Sequence, residues 1–425
     1  MTTLPLRPVP AGFATRNEAA SAVPRSRVHP IVRWSLYLYI LSIPFELPRR
    51  GGFPVEIPTL TGALFLVAAL LNIGTCYRTL HKAALWFLLH LWILAVLAAV
   101  YTAEHTGLVL QELALFLQVV LLLVTMVNLL ADPRILRGAL LAVVISIAAR
   151  AAVQVAGIAA TSMAEWGGGQ RVTAFGQNAN LSAMILSAGL VAVLGLRAPA
   201  DQRLPRFGLL TWPLAAVLGM ALVQTGSRGG LLCAMVGVAT FALAPGQRLR
   251  RRVLNALIGA LALGALIWGA FQNTAMRNRL TNAEGGNLAG REYIYPGAIE
   301  LITERPLFGW GTIENQFELS RHLLLDTARF PSRDVHNLLL ELLSTSGVVG
   351  TIPFLVGVAL CLRGAWRARR GALGLVPLAM LLAVLTGTLS GTWIVAKVLW
   401  LVMAFGAAAG THWTASPAIA GKDGA

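Results

Sequence analysis

Long apolar blocks separated by short polar linkers make up most of this chain. A helix needs about 20 apolar residues to cross a bilayer. Runs of roughly that length fall near 31–47, 59–77, 83–101, 106–130, 138–160, 180–196, 209–225, 229–245, 253–272, 337–362, 374–390 and 392–410. The pattern predicts an all-α integral membrane protein with about 12 transmembrane helices. It divides the chain into a polar N-terminal tail (1–30), a polytopic membrane domain (31–410) and a C-terminal tail (411–425). One linker, about 273–334, is far longer than the rest.

Composition agrees: 56% of the 425 residues are hydrophobic and 12% are charged, against roughly 25% charged in a soluble domain. A formal charge of +16 would suit nucleic acid, but no polar domain gathers the Lys and Arg, so a nucleic-acid partner is excluded. The positive-inside rule explains the excess. Of the 34 basic residues, 20 lie on the tails and alternate linkers: Arg7, Arg16, Arg25, Arg27, Arg78, Lys82, Arg134, Arg137, Arg197, Arg203, Arg206, the arginines of "RLRRR" (248–252) and "RGAWRARR" (363–370), and Lys422. The opposite short linkers hold only Arg49, Arg50, Arg171 and Arg228, and the long linker holds seven more. Both termini are expected in the cytoplasm and the long linker outside. The first 30 residues lack a signal-peptide pattern, so the first span is expected to be an uncleaved anchor. Cys76, Cys233 and Cys361 are too scattered for a metal site and badly placed for disulfides.

No repeat is visible and the two halves differ in linker lengths, which counts against a transporter built on inverted repeats. Polar information concentrates in three outer linkers: "TSMAEWGGGQRVTAFGQNAN" (161–180), read as a Gly- and Asn-rich loop, the short turn "QTGSRGG" (224–230), and the long linker. In the last, "GREYIYPGAIELITERPLFGWG" (290–311) predicts an amphipathic helix from near Arg291 to before Pro306. Its apolar side is read as Tyr293, Ala298, Ile299, Ile302 and Leu307, lying along the outer membrane surface. Pro296 either sits harmlessly near the first turn or kinks the helix.

Arg228 stands in a turn too short to let it wander, among Gly226, Gly229 and Gly230, at the outward N-terminus of the following span. A guanidinium beside free helix amides outlines an anion site; an arginine snorkelling to lipid headgroups is the plainer alternative. Arg291 opens the amphipathic helix, where an arginine serves either a ligand or lipid phosphate. Two converging guanidinium forks would match a diphosphate. His336 is the one histidine of seven at an outer helix start, with Asn337 beside it and Asp334 two residues back. An imidazole there suits proton abstraction near neutral pH, or it is a polar helix cap. Secondary candidates are Glu112, Arg150 and Lys397, ionisable residues in the outer parts of spans, together with Arg171. Glu112 and Arg150 would equally well pair with each other and stabilise packing. Glu341, one turn beyond His336, is a candidate for orienting that helix.

"TGSRGG", "GREYIYPGAIELITERPLFGWG" and "HNLLLELLSTSGVVG" occur in the order and spacing of the O-antigen ligase and polymerase superfamily, and "RVTAFGQNAN" resembles a loop of that family. The resemblance is specific over about 170–352 and elsewhere rests on span number and hydropathy. It implies the GT-C transmembrane glycosyltransferase architecture, with a periplasmic loop carrying amphipathic helices, in a bacterial inner membrane. It implies an undecaprenyl-diphosphate-linked O-antigen donor and a lipid A-core oligosaccharide acceptor, with no cofactor, nucleotide sugar or metal. By the same resemblance Arg228 and Arg291 bind the diphosphate and His336 is the general base. The residues themselves agree with a displacement in which two arginines neutralise the departing diphosphate and a histidine activates the acceptor hydroxyl. No paired carboxylates suggest glycoside hydrolysis, and no P-loop or Rossmann glycine pattern appears. The expectation is an O-antigen ligase using an inverting displacement. A polymerase using the same donor, a protein O-oligosaccharyltransferase and a twelve-span transporter are the alternatives.

Overall fold

The structure, a computed structural model, describes residues 28–46, 56–101, 105–164, 170–197, 199, 201, 203–243, 249–281, 290–324 and 332–413, without the side chains of 164, 249–252, 254–256 and 258. The tails with their arginines, Arg49, Arg50, Lys422 and two stretches of the long linker lie outside the described residues.

Helices occupy every predicted apolar run. In chain order they are α1 (Pro30–Ser42), α2 (Ile57–Ala69), α3 (Ile73–Cys76), α4 (Lys82–Val100), α5 (Thr106–Leu129), α6 (Pro133–Val155), α7 (Ala179–Gly195), α8 (Thr211–Gln224) and α9 (Arg228–Thr240). They continue with α10 (Leu249–Gln272), α11 (Thr274–Thr281), α12 (Arg291–Glu304), α13 (Glu314–His322), α14 (Leu338–Arg367), α15 (Val376–Thr388) and α16 (Lys397–His412). Among the described residues five stretches are long and apolar enough to cross a membrane, namely Ile57–Cys76, Lys82–Val100, Thr106–Leu129, Pro133–Val155 and Leu338–Arg370. Five further apolar helices are shorter, at 10–17 residues. Large apolar side chains such as Trp34, Val67 and Trp92 stand more than half exposed on the outside of the bundle, as lipid-facing residues do. The chain is a helical membrane protein.

The all-α expectation needs one correction. Within the linker read as a loop, β1 (Ala160–Ala164) and β2 (Gln170–Ala174) pair antiparallel, Ala160 opposite Ala174 and Ala164 opposite Gln170. That linker is rich in Gly and Asn, and the β-branched pair Val172–Thr173 is too short a signal to stand out in it.

The bundle core is continuous. α7 packs against α6, α8, α9 and α15, while α14 packs against α4 and α16. A second, separate core belongs to the long linker: Ile294, Ala298 and Leu301 of α12 close on Leu319 of α13 and on Val335. The packed face of α12 differs from the side expected along the membrane surface. Of the side chains assigned to that face, only Ala298 is buried, and Tyr293 and Ile299 point outward at 71% and 52% exposure. Pro296 lies inside the helix, past its first turn.

α14 is broken at Gly347, which takes φ 58°, ψ −166°. The loop after α12 closes the break: Trp310 N–H donates to the Ser344 carbonyl and Gly311 N–H to the Thr345 carbonyl, each at 2.8 Å. In return Val348 N–H donates to the Pro306 carbonyl (2.9 Å) and Val349 N–H to the Leu307 carbonyl (3.1 Å). Main-chain groups that a helix break exposes are thereby satisfied by the loop "RPLFGWG". A Cβ on Gly347 would stand 2.2 Å from the Leu307 carbonyl carbon, so no other residue fits. Arg305 finishes the brace by stacking its guanidinium over Trp310, 3.8 Å from the ring centre.

Candidate active site

The turn before α9 is built around the Ser227 N-cap, whose Oγ accepts from Gly230 N–H at 3.1 Å and donates to Asn180 Oδ1 at 2.9 Å. Arg171, on β2, reaches the same turn: its Nε donates to the Thr225 carbonyl (2.8 Å) and its Nη2 to Asn180 Oδ1 (3.2 Å). From the other side Arg228 Nη1 donates to the Arg279 carbonyl (3.0 Å) while Arg279 Nη1 donates to the Gly226 carbonyl (3.1 Å). Three guanidinium groups thus surround one helix N-terminus, where the dipole is also positive.

A second turn, Leu389–Ser390 at the end of α15, joins this arrangement to the long linker. Arg291 Nη2 donates to the Ser390 carbonyl at 2.8 Å. Asn337 Nδ2 and the Tyr295 hydroxyl both approach the Leu389 carbonyl, at 3.4 and 3.5 Å. On its other side Ser390 Oγ lies 3.0 Å from where a Cβ on Gly229 would be, so glycine there lets the two turns touch. The Leu389–Ser390 turn thus touches Gly229, the neighbour of Arg228, and receives Arg291 and Asn337, the neighbour of His336.

His336 sits immediately before α14, whose N-cap is Asn337: Asn337 Oδ1 accepts from Leu339 N–H (2.9 Å) and Leu340 N–H (3.3 Å). The capping role belongs to Asn337, which leaves the imidazole of His336 outside the cap. His336 itself has φ 58°, a left-handed conformation that costs a non-glycine residue energy and is common at functional sites. Burial holds its pKa below the ordinary imidazole range; Asp334 opposes the shift, and Arg291 and Arg333 add to it. The imidazole is therefore kept in the neutral form that accepts a proton.

The secondary candidates separate. Arg150 is fully buried in α6 and donates from Nη2 to Ser182 Oγ at 2.7 Å. It does not pair with Glu112, the alternative left open by the sequence. Glu112 lies instead near enough to Glu341 for their charges to interact. Glu341 is buried and accepts from Asn315 Nδ2 at 3.1 Å, so it ties α14 to α13. Lys397 belongs to a different cluster, bonded to Glu56 at 2.9 Å and to Glu46 at 3.2 Å, where it joins the starts of α2 and α16 to the end of α1. Asp334 is exposed beside His336.

Sequence reading missed Arg279, Arg333, Tyr295 and the Leu389–Ser390 turn. Arg279 and Arg333 were counted only as charges of the long linker, and main-chain carbonyls carry no mark in a sequence. The positive charge of the linker was the one available signal.

Arginines and one histidine thus cluster at helix starts of a helical membrane protein, with the buried carboxylate of Glu341 further along α14. Residues 213–355, which contain Arg228, Arg279, Arg291 and His336, match the family model described as O-Antigen ligase. Over that stretch, about a third of its length, the chain is similar to the O-antigen ligase family. No curated protein matches the chain.

Proposed function

We propose that this protein is an O-antigen ligase, moving a glycan from undecaprenyl diphosphate to the lipid A-core oligosaccharide at the periplasmic face of the bacterial inner membrane. The family acts on lipid-linked sugars. The observation that carries the reading is the Leu389–Ser390 turn, which gathers Arg291, Asn337 and, through Gly229, the Arg228 turn around one point beside His336. In this proposal the helices that are too short to cross alone complete a GT-C bundle of about 12 spans with both termini cytoplasmic.

The acceptor hydroxyl attacks the anomeric carbon from the face opposite the diphosphate. The new C–O bond forms as the anomeric C–O bond breaks, and the electron pair departs on the diphosphate oxygen. Arg228 and Arg291 neutralise that charge, and the hydroxyl proton passes to the His336 imidazole and then to solvent. Undecaprenyl diphosphate is released and the anomeric configuration is inverted. Arg171 shapes the diphosphate turn, and Lys397 with Glu46 and Glu56 holds the bundle.

The test is a reconstitution of purified protein with lipid-linked donor, no added nucleotide or metal, and either lipid A-core or a second lipid-linked glycan as acceptor. Glycan joined to lipid A-core is the expected product. A product lengthened on the second donor would identify a polymerase instead, and transport without a covalent product would discard the enzyme reading.

A further inference from the structure

Arg150 is the largest buried charge that this chemistry leaves unused. Its side chain has no solvent exposure, its Nη2 bonds Ser182, and its Nε and Nη1 have no hydrogen-bond partner among the described residues. No carboxylate among the described residues acts on it either. A buried guanidinium in that condition is costly, and a packing role alone would be served as well by methionine or leucine. Lys397 shows the contrast, because it is equally buried and has two carboxylates.

The position of Arg150 relates it to the donor turn. Gln154, one turn further along α6, donates from Nε2 to the Val172 carbonyl of β2 (3.1 Å) and to the Ala221 carbonyl of α8 (2.8 Å). Ser182 lies in the first turn of α7, its N–H bonded to the Asn178 carbonyl at 2.8 Å, just below Asn180, which receives Arg171 and Ser227. Arg150 therefore stands one helical turn beneath the floor of the arginine-ringed turn, on the low-dielectric side. A fixed positive charge there attracts an anion above it with little screening by water or salt.

We propose that Arg150 is a further cation of the donor site, a positioning residue whose counter-ion is the lipid diphosphate itself. This rests on the donor assigned above. Among the described residues the charge of Arg150 is uncompensated in the empty protein, and it is relieved when the diphosphate binds. Removing the charge should stabilise the empty protein and weaken donor binding together, whereas a residue that merely staples α6 to α7 would lose stability when removed.

Thermal unfolding of the full-length protein in nanodiscs, alone and with undecaprenyl diphosphate or undecaprenol, separates these outcomes. Arg150→Met should melt at or above the wild-type temperature and bind undecaprenyl diphosphate about tenfold more weakly. Arg150→Lys should recover part of the affinity, and Ser182→Ala, which breaks the staple and keeps the charge, should bind within about twofold of wild type. An Arg150→Met protein that melts lower, cannot be obtained folded, or binds the diphosphate as wild type does overturns the proposal. If wild type gains no more from undecaprenyl diphosphate than from undecaprenol, the donor assignment itself fails.

Discussion

Arg291 Nη2 donates to the Ser390 carbonyl at 2.8 Å and so ties the start of α12 to the end of α15. One nitrogen of the fork is committed to the main chain, which orients the rest of the guanidinium. Arg291→Ala should lower kcat/KM for transfer by about 10²–10³-fold, the usual loss for a charge-stabilising donor. Arg291→Lys should fall between that and wild type, because it keeps charge without the fork. Steady-state kinetics with purified lipid-linked donor checks the order, and lysine no better than alanine would show that charge is not what counts.

His336→Asn tests the base without disturbing the backbone. Asparagine tolerates the left-handed conformation found here, so the melting temperature should hold. Transfer should drop by about 10²–10⁴-fold while donor binding remains. Full ligation by this variant would remove His336 from the chemistry.

The charges around His336 fix the direction of its pH response. Only neutral imidazole accepts a proton, so rate rises with pH through the pKa of His336, which burial, Arg291 and Arg333 hold below about 6.5. Arg333→Gln removes a positive neighbour, favours the imidazolium and should move the acid limb of the pH–rate profile upward. Asp334→Asn removes the opposing negative charge and should move it downward. Equal shifts in one direction would contradict the assignment.

Gly347→Ala places a methyl group against the Leu307 main chain in a conformation that alanine resists. The expected loss is about 3 kcal/mol or more, read as a lower melting temperature, with activity falling in parallel. An unchanged melt would mean that α14 is not braced at its break.

Lys397→Met leaves the buried Glu46 and the half-buried Glu56 beside an apolar side chain. The cost should be about 3–5 kcal/mol, and Glu46→Gln with Glu56→Gln in the same protein should restore much of it. Donor affinity, measured by ligand-dependent melting, should stay near wild type in the combined variant.

Much of this was legible from periodicity alone. Each apolar run became a helix because nothing in the sequence competes with span formation over such lengths. Arg228, Arg291 and His336 stood out because charge and imidazole are rare at helix starts in so apolar a chain. The local core under α12 was not legible, since a linker helix can turn apolar side chains both to a membrane surface and to a core of its own, and hydropathy does not separate the two. The pairing of Glu112 with Arg150 failed for a related reason: similar depth in a membrane says nothing about rotation around the bundle.

The separate core formed by Ile294, Ala298, Leu301, Leu319 and Val335 divides ownership of the reaction centre. Arg228 is mounted on the bundle, Arg291 on a module that folds around its own interior, and His336 at the junction where that module runs into α14, the two parts being joined by main-chain and side-chain hydrogen bonds. Such a module can accept surface changes without repacking the spans. On the proposed reading, module and bundle can vary separately only as long as Arg291 stays tied to the Ser390 turn beside Gly229.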